Sequence, residues 1–90
     1  MSEIKVLPKG EMLFYEGDPS DAMYVIRKGR IAIVKTTDDV VLAELRTGQL
    51  LGEMAFFDQR ARSAGAKAME DSEVLILPFT ALKAQYEKFP

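Results

Sequence analysis

The segment at residues 52–64, GEMAFFDQRARSA, combines residue types that suit the binding of a phosphate group. It opens with Gly52 beside Glu53 and nears its end with Arg62 beside Ser63. A glycine followed by a turn of helix presents backbone N–H groups to an anion, and the helix dipole favours negative charge there. Arginine adds a planar fork that matches two phosphate oxygens. A carboxylate would repel phosphate, so Glu53 fits this place if it accepts a hydrogen bond from a hydroxyl such as a ribose 2′-OH.

The elements that must hold this segment in place are predicted to be short strands. Turn-forming residues interrupt the chain at 8–10, 18–21, 37–39, 47–48 and 70–72. Runs rich in Val, Ile and Leu lie between these turns. Such regular spacing favours an antiparallel sandwich or barrel over alternating strand–helix units.

Two strand patterns are specific enough to test. Residues 22–28 and 30–36 are separated by Gly29 alone, which predicts a tight reversal or bulge with an unusual backbone angle. Residues 74–77 are all apolar, as in a strand that is buried on both faces. The first pattern places strands before the candidate phosphate segment, and the second places a strand after it.

Two further segments are amphipathic. Residues 40–46 alternate in polarity, which predicts a half-buried strand. Its predicted buried face consists of Val41, Ala43 and Leu45. After Pro78 the apolar period lengthens to that of a helix, and proline is a suitable place for a strand to end and a helix to begin. The apolar stripe of this helix, predicted to pack on the strands, consists of Phe79, Leu82, Tyr86 and Phe89.

The segment at 52–64 resembles the phosphate-binding cassette of the cyclic nucleotide-binding domain family. This family occurs in catabolite-activator-type regulators, cyclic-nucleotide-dependent kinases and cyclic-nucleotide-gated channels. The resemblance covers about residues 6–90, in order. Outside the cassette it rests on Phe14-Tyr15-Glu16-Gly17-Asp18, Met23-Tyr24-Val25-Ile26, Lys28-Gly29-Arg30-Ile31 and the strands at 45–52 and 74–78.

The resemblance implies a mainly β fold. The expected architecture is an antiparallel β-roll, jelly-roll-like and also described as a double-stranded β-helix, with a short helix in the cassette and a C-terminal helix. Residues 1–90 are expected to form a single domain. In the family a longer helix follows and covers the nucleotide base, and the sequence stops before that helix and before any effector domain.

The resemblance also implies a ligand site. Its expected residues are Gly52, Glu53, Met54, Ala55, Arg62, Ser63 and Ala64. Arg62 is expected to bind the phosphate and Glu53 the ribose 2′-OH. Ala55 would contribute its backbone N–H, and Ser63 its hydroxyl. Gly52 is expected to need a positive φ angle or room for close approach.

Each of these residues has a structural alternative. Most arginines are solvated surface charges, and Arg62 taken alone would be read as one, like its neighbour Arg60. Glu53 would favour the first turn of a short helix through the dipole. Ser63 would simply fit a strand.

Composition excludes several classes of function. The chain has 90 residues, a net charge of −2 and no long basic run, which argues against nucleic acid binding by this segment. The absence of Cys and His excludes disulfides and Ser/His or Cys/His catalysis. It also excludes copying the relatives that sense through iron–sulfur clusters or haem. No metal or cofactor is expected beyond the bound nucleotide. No apolar stretch reaches the length of a membrane span, so no membrane contact and a cytoplasmic location are expected.

The sequence therefore predicts a non-catalytic sensor that binds cAMP or cGMP. We favour cAMP, because Ser63 resembles the serine at this place in bacterial adenine-binding regulators of the family. One alternative is a degenerate β-roll that acts as a structural or oligomerisation domain without a ligand. A metal-dependent enzyme of the cupin type is another, but such sites use several His ligands. An effector domain, a protein partner and a homodimer remain open as recipients of the signal.

Overall fold

The computed structural model describes residues 3–35, 38, 40–52 and 61–86, with residues 85 and 86 described by their backbone alone. Within these ranges, eight strands and one helix follow one another along the chain. Their bounds are β1 (Glu3–Leu7), β2 (Met12–Phe14), β3 (Ala22–Lys28), β4 (Arg30–Val34), β5 (Val41–Arg46), β6 (Leu50–Leu51), β7 (Gly65–Ala68), β8 (Ser72–Pro78) and α1 (Phe79–Tyr86). The short helix expected in the cassette lies outside the described residues.

The described strands form two four-stranded sheets. One sheet has the order β1-β8-β3-β6, and the other has the order β2-β7-β4-β5. Every described pairing between strands is antiparallel. The chain changes sheet at every step between consecutive strands except the step from β4 to β5. This exchange between two antiparallel layers is the β-roll that the sequence predicted.

A hydrophobic core draws side chains from both sheets. In β3, alternate residues are buried because successive side chains of a strand point to opposite faces. The buried cluster consists of Leu7, Phe14, Ala22, Tyr24, Ile26, Ile31, Leu51, Ala66, Ala68 and Val74. Removing this apolar surface from water provides the main force that holds the two sheets together.

The reversal between β3 and β4 is fixed against the start of β8. Gly29 has a φ angle of +89°, as predicted, and a Cβ at this position would lie 2.7 Å from the carbonyl oxygen of Asp71. The buried Ser72 hydroxyl accepts a hydrogen bond from the Arg30 N–H at 3.1 Å and donates one to the Glu70 carbonyl at 2.7 Å. Only glycine combines this backbone angle with so close an approach of the two segments.

The segment at 40–46 forms a strand, but the prediction of its buried face was wrong. Val41 and Leu42 are 47% and 54% exposed, and Ala43 is exposed as well. Leu45 alone of the three expected residues packs against the core. The reason is position: β5 is the end strand of its sheet and is hydrogen-bonded to β4 alone among the described strands. Polarity alternation does not reveal how far an end strand extends beyond the opposite sheet.

The predicted change from strand to helix occurs where proline placed it. β8 lies between β1 and β3, and Val74 is fully buried. The other three residues of the apolar run are only half-buried, so the prediction of a strand buried on both faces was wrong for most of it. It ends at Pro78, and α1 begins at Phe79 and contacts β8. The Phe79 N–H donates a hydrogen bond to the Asp21 carbonyl at 2.8 Å, and Leu82 is half-buried. Phe89 and the side chain of Tyr86 lie outside the described residues.

Strand β1 was not predicted. Ile4 and Val6 are 50% and 64% exposed, and Lys5 between them is exposed too, so only Leu7 enters the core. The strand is held by its backbone pairing with β8, in which Leu7 lies opposite Ser72. Residues 3–6 alternate in polarity, but their apolar members are exposed, so the alternation does not mark a buried face here.

Candidate anion-binding site

Arg62 is buried, with only 7% of its surface exposed. Its backbone is paired with the connection between β2 and β3. The Arg62 N–H donates to the Asp18 carbonyl at 2.9 Å, and the Gly17 N–H donates to the Arg62 carbonyl at 2.8 Å. These two bonds fix the point from which the side chain enters the core.

The Arg62 guanidinium is packed against two aromatic rings and a backbone carbonyl. Its Nη2 donates a hydrogen bond to the Ala22 carbonyl at 2.6 Å. Its Cζ lies 4.4 Å from the centre of the Phe14 ring and 5.6 Å from the centre of the Tyr24 ring. The two rings are stacked on each other, with centres 5.9 Å apart and an interplanar angle of 28°. Distances within about 6 Å place both rings in the range of cation–π attraction.

The charge of Arg62 has no carboxylate partner among the described residues. The ion pairs found there join Lys28 to Glu73 and Arg30 to Glu44, away from this site. The Nε atom of Arg62 is buried and has no hydrogen-bond partner in the same set of residues. A buried charge that is not fully paired is costly, so the site has the capacity to bind an anion.

Gly52 lies directly against the guanidinium. Its φ angle is +86°, which confirms the expected positive value. A Cβ at this position would lie 2.5 Å from the Nη1 atom of Arg62, closer than side chains tolerate. The absence of a side chain at the start of the cassette is therefore what lets Arg62 occupy its buried place.

Burial raises the pKa of the Tyr24 phenol above its usual range. The positive charge of Arg62 acts in the opposite direction, and Asp21 adds to the rise. Tyr24 therefore stays neutral at physiological pH, and the guanidinium is the charged group of the cluster.

Of the residues expected in the site, the structure describes Gly52 and 62–64. Arg62 and Ala64 are buried, whereas Ser63 between them is exposed, as in an extended segment. Glu53, Met54 and Ala55 lie outside the described residues, as does Arg60. The structure thus brings Gly52 and Arg62 together, as the spacing of the segment implied.

The sequence reasoning missed the residues that surround the guanidinium. Phe14 and Tyr24 belong to the segments that carried the family resemblance, but they were taken only as parts of strands. Ala22 acts through its carbonyl, for which a side-chain pattern gives no signal. The only signal in the sequence was the presence of two aromatic residues, Phe14 and Tyr24, in segments that were expected to form strands.

Comparisons with known proteins identify the family. The family model described as the cyclic nucleotide-binding domain matches residues 4–89. The chain belongs to the cyclic nucleotide-binding domain family. This confirms the resemblance and makes the buried Arg62 part of a domain type that binds cyclic nucleotides. The described part of the chain contains no helix with the length and apolar character that crossing a membrane requires.

Relatives of this cyclic nucleotide-binding domain are longer proteins. The Cyclic AMP receptor protein of Thermus thermophilus is 38% identical over 76 residues, which cover 81% of this chain and 35% of that protein. The crystal structure of the Thermus thermophilus catabolite activator protein matches with a TM-score of 0.86 and 33% identity, over 99% of this chain and 43% of that one. The chain thus spans about a third of the length of this receptor protein.

An enzyme also contains a similar domain. The EAL enzyme Bd1971 in its cAMP-bound form matches with a TM-score of 0.84 and 32% identity, over 98% of this chain and 24% of that one. Its cGMP-bound form matches with the same values. The domain type therefore occurs in proteins named for different activities.

Proposed function

We propose that this domain is a non-catalytic sensor that binds a cyclic nucleotide reversibly, with cAMP preferred to cGMP. In this proposal Arg62 pairs with the phosphate, and Glu53 accepts a hydrogen bond from the ribose 2′-OH. The Ala55 N–H and the Ser63 hydroxyl donate to phosphate oxygens. Gly52 gives the ligand and the guanidinium room beside the backbone. No cofactor is assigned to the domain besides the nucleotide.

The observation that carries the proposal is the buried guanidinium of Arg62. Its Nε lacks a partner among the described residues, and none of their carboxylates pairs with its charge. The phosphate of a cyclic nucleotide carries a negative charge shared between its exocyclic oxygens. Binding it at the Nε edge would supply both the missing acceptor and the missing counter-charge, and a hydrogen bond between charged groups is stronger than one between neutral groups.

One relative supports the preference for cAMP, and another indicates that cGMP is a competing ligand. The first relative above is named for cyclic AMP, and its similarity extends over 81% of this chain. The second, Bd1971, exists in both cAMP-bound and cGMP-bound forms. We therefore place cAMP first and keep cGMP as the ligand against which it must be measured.

The domain would leave its ligand chemically unchanged and would act on another domain or protein. Its relatives are longer proteins, of which the matched region makes up 35% in the receptor protein and 24% in the EAL enzyme. We propose that an effector domain, a protein partner or a second copy of the domain reads the bound state. A ligand can transmit a signal only if it binds one of two conformations more tightly than the other.

A calorimetric titration of the chain with cAMP, cGMP and linear AMP tests the proposal. We expect saturable binding of both cyclic nucleotides, with a smaller dissociation constant for cAMP, and much weaker binding of linear AMP. The comparison with linear AMP separates recognition of the cyclic phosphate from simple attraction to a nucleotide. Equal binding of all three ligands would contradict the assignment of a cyclic phosphate site.

One alternative has specific structural support. The hydrogen bond from Arg62 to the Ala22 carbonyl and its packing on Phe14 make the arginine part of the core itself. Under this alternative the domain is a structural β-roll, and Arg62 only links β2 to β3. The same titration decides between them: a folded sample that binds no cyclic nucleotide up to millimolar concentration would support the structural role.

A further inference from the structure

We propose that Phe14 and Tyr24 are positioning residues for the phosphate-binding arginine. Their stacked rings, called here the aromatic shelf, hold the plane of the Arg62 guanidinium in one orientation before an anion binds, while its buried Nε has no acceptor among the described residues. The inference rests on the proposed function and deepens it, because it assigns part of the nucleotide affinity to two residues that never touch the nucleotide.

The guanidinium of Arg62 is restrained on three sides. The Phe14 ring lies 4.4 Å from Cζ and covers one face of the group. The Ala22 carbonyl accepts a hydrogen bond from Nη2 at 2.6 Å. Gly52 lies against Nη1, where a Cβ would approach to 2.5 Å. A ring at one face, a hydrogen bond at Nη2 and a close contact at Nη1 together restrict rotation of this flat group.

One nitrogen of the guanidinium group, Nε, remains without a partner among the described residues. Nε is buried, points to no described acceptor and belongs to the same rigid plane. Fixing that plane before the ligand arrives lowers the ordering cost of binding, which is the general benefit of preorganisation. An arginine on a flexible stem would otherwise lose rotamer freedom at the moment of binding.

Aromatic rings hold a guanidinium group in place better than aliphatic side chains do. The face of an aromatic ring carries negative electrostatic potential and attracts a cation, most strongly where water is excluded. Arg62 is 7% exposed and Tyr24 is 8% exposed, so water is largely excluded from the contact. A leucine of similar bulk would fill the space without attracting the guanidinium.

The position of the shelf in the fold also matters. Phe14 is the last residue of β2, and Tyr24 lies in β3, two residues after Ala22. These strands belong to different sheets, so the shelf spans the interface between the layers. The guanidinium is consequently placed by the packing of the whole roll and not by the cassette alone.

The test compares Phe14→Leu with the wild-type chain in a cAMP titration. We expect Phe14→Leu to weaken binding by about fivefold to tenfold, near the upper end of the range that corresponds to ordering one long side chain at the moment of binding. Tyr24→Phe keeps the ring and should bind within about threefold of the wild type. Affinity in Phe14→Leu equal to that of the wild type would overturn the proposal.

A matched control separates positioning from loss of stability. Leu7→Ala removes a fully buried side chain from β1, which is hydrogen-bonded only to β8 among the described strands. It should lower the melting temperature at least as much as Phe14→Leu, because a large-to-small change in the core leaves a cavity. Its cAMP affinity should nevertheless match the wild type when measured well below that temperature. Equal loss of affinity in both variants would show that the shelf acts through stability alone.

A second measurement requires no nucleotide. The guanidinium protons of Arg62, Nε–H included, should resonate upfield in the NMR spectrum of the ligand-free wild-type chain, because Cζ lies 4.4 Å from the centre of the Phe14 ring, and Phe14→Leu should abolish that shift. An ordinary Nε–H resonance in the wild type would overturn the shelf whatever the titration shows. An upfield resonance in a chain that binds no cyclic nucleotide would instead contradict the proposed function and reduce the shelf to a structural contact.

Discussion

At the scale of single residues, the site is defined by how little room surrounds Arg62. The guanidinium has a ring on one face, a carbonyl at Nη2 and the bare backbone of Gly52 beside Nη1. Burial makes each of these contacts stronger than it would be in water, and it makes the incomplete pairing of the charge more costly. The same residue thus contributes to the core and retains a tendency to bind an anion.

We predict that Gly52→Ala weakens nucleotide binding more than its effect on stability explains. A Cβ would clash with Nη1 and push the guanidinium off the shelf. The positive φ angle would in addition cost about 1–2 kcal/mol of folding stability. Calorimetric affinity and thermal unfolding of the variant check the prediction.

Gly48→Ala is the matched control for this variant. Gly48 has a φ angle of +92°, but a Cβ there would meet nothing within 4 Å. Both variants should lose similar stability from backbone strain, while only Gly52→Ala should lose affinity. Similar affinities in the two variants would show that the clash with Arg62 does not matter for binding.

Sequence reasoning reached Gly52 and Arg62 but not the residues that hold the arginine. The two were predictable because a short segment of sequence contains both of them, and local spacing carries information about local geometry. Phe14 and Tyr24 approach the arginine only when two different sheets pack together. Such a contact depends on the tertiary fold, so no periodicity within either strand could reveal it.

At the scale of elements, the connection between β2 and β3 joins the site to the helix. Asp18 and Ala22 use their carbonyls to accept hydrogen bonds from the backbone and the guanidinium of Arg62. The Asp21 carbonyl, next to that of Ala22, accepts the N–H of Phe79 at the start of α1. Neighbouring carbonyls therefore hold Arg62 and the first residue of the helix.

We predict that cAMP increases the hydrogen-exchange protection of the Phe79 amide more than that of the Lys35 amide. The Lys35 N–H is bonded to the Val40 carbonyl at 3.0 Å, at the far end of β4 and β5. A ligand on Arg62 should restrain the adjacent connection and with it the start of α1, whereas Lys35 should report only the general gain in stability. Equal increases at the two amides would contradict a link through this connection.

Elements were predictable to different degrees for a physical reason. A strand at 74–77 and a helix after Pro78 were predictable because each has a pattern of apolar residues that repeats along the element, but the expected burial of both faces of the strand was wrong. The exposed positions of Val41 and Ala43 were not, because exposure of an end strand depends on how far the opposite sheet extends. β1 is held by its backbone pairing with β8 and by the buried Leu7, and the alternation of residues 3–6 does not mark a buried face.

At the scale of the whole molecule, two antiparallel sheets share a core, and Arg62 is buried beside this core with its guanidinium against Gly52. The family assignment and the structural matches agree with this arrangement over almost the full chain. The fold class was predictable from turn spacing and from the resemblance together. The burial of the key charge was not, because most arginines lie on the surface and only the assembled fold shows this one inside.

The central claim is that Arg62 binds the phosphate, and the measurement that tests it most directly is the cAMP affinity of Arg62→Ala. Removing one partner of a buried charge pair typically costs about 3–5 kcal/mol. We therefore expect binding weaker by about 100-fold or more.

Two further variants complete this measurement. Arg46→Ala removes an equal charge from an exposed position and should bind cAMP like the wild type. Arg62→Lys keeps the charge but loses the planar fork, and should fall between the wild type and Arg62→Ala. Thermal unfolding must show that each variant is folded during the titration. A loss below about threefold in folded Arg62→Ala would contradict the account, because a buried phosphate ligand cannot be removed at so small a cost.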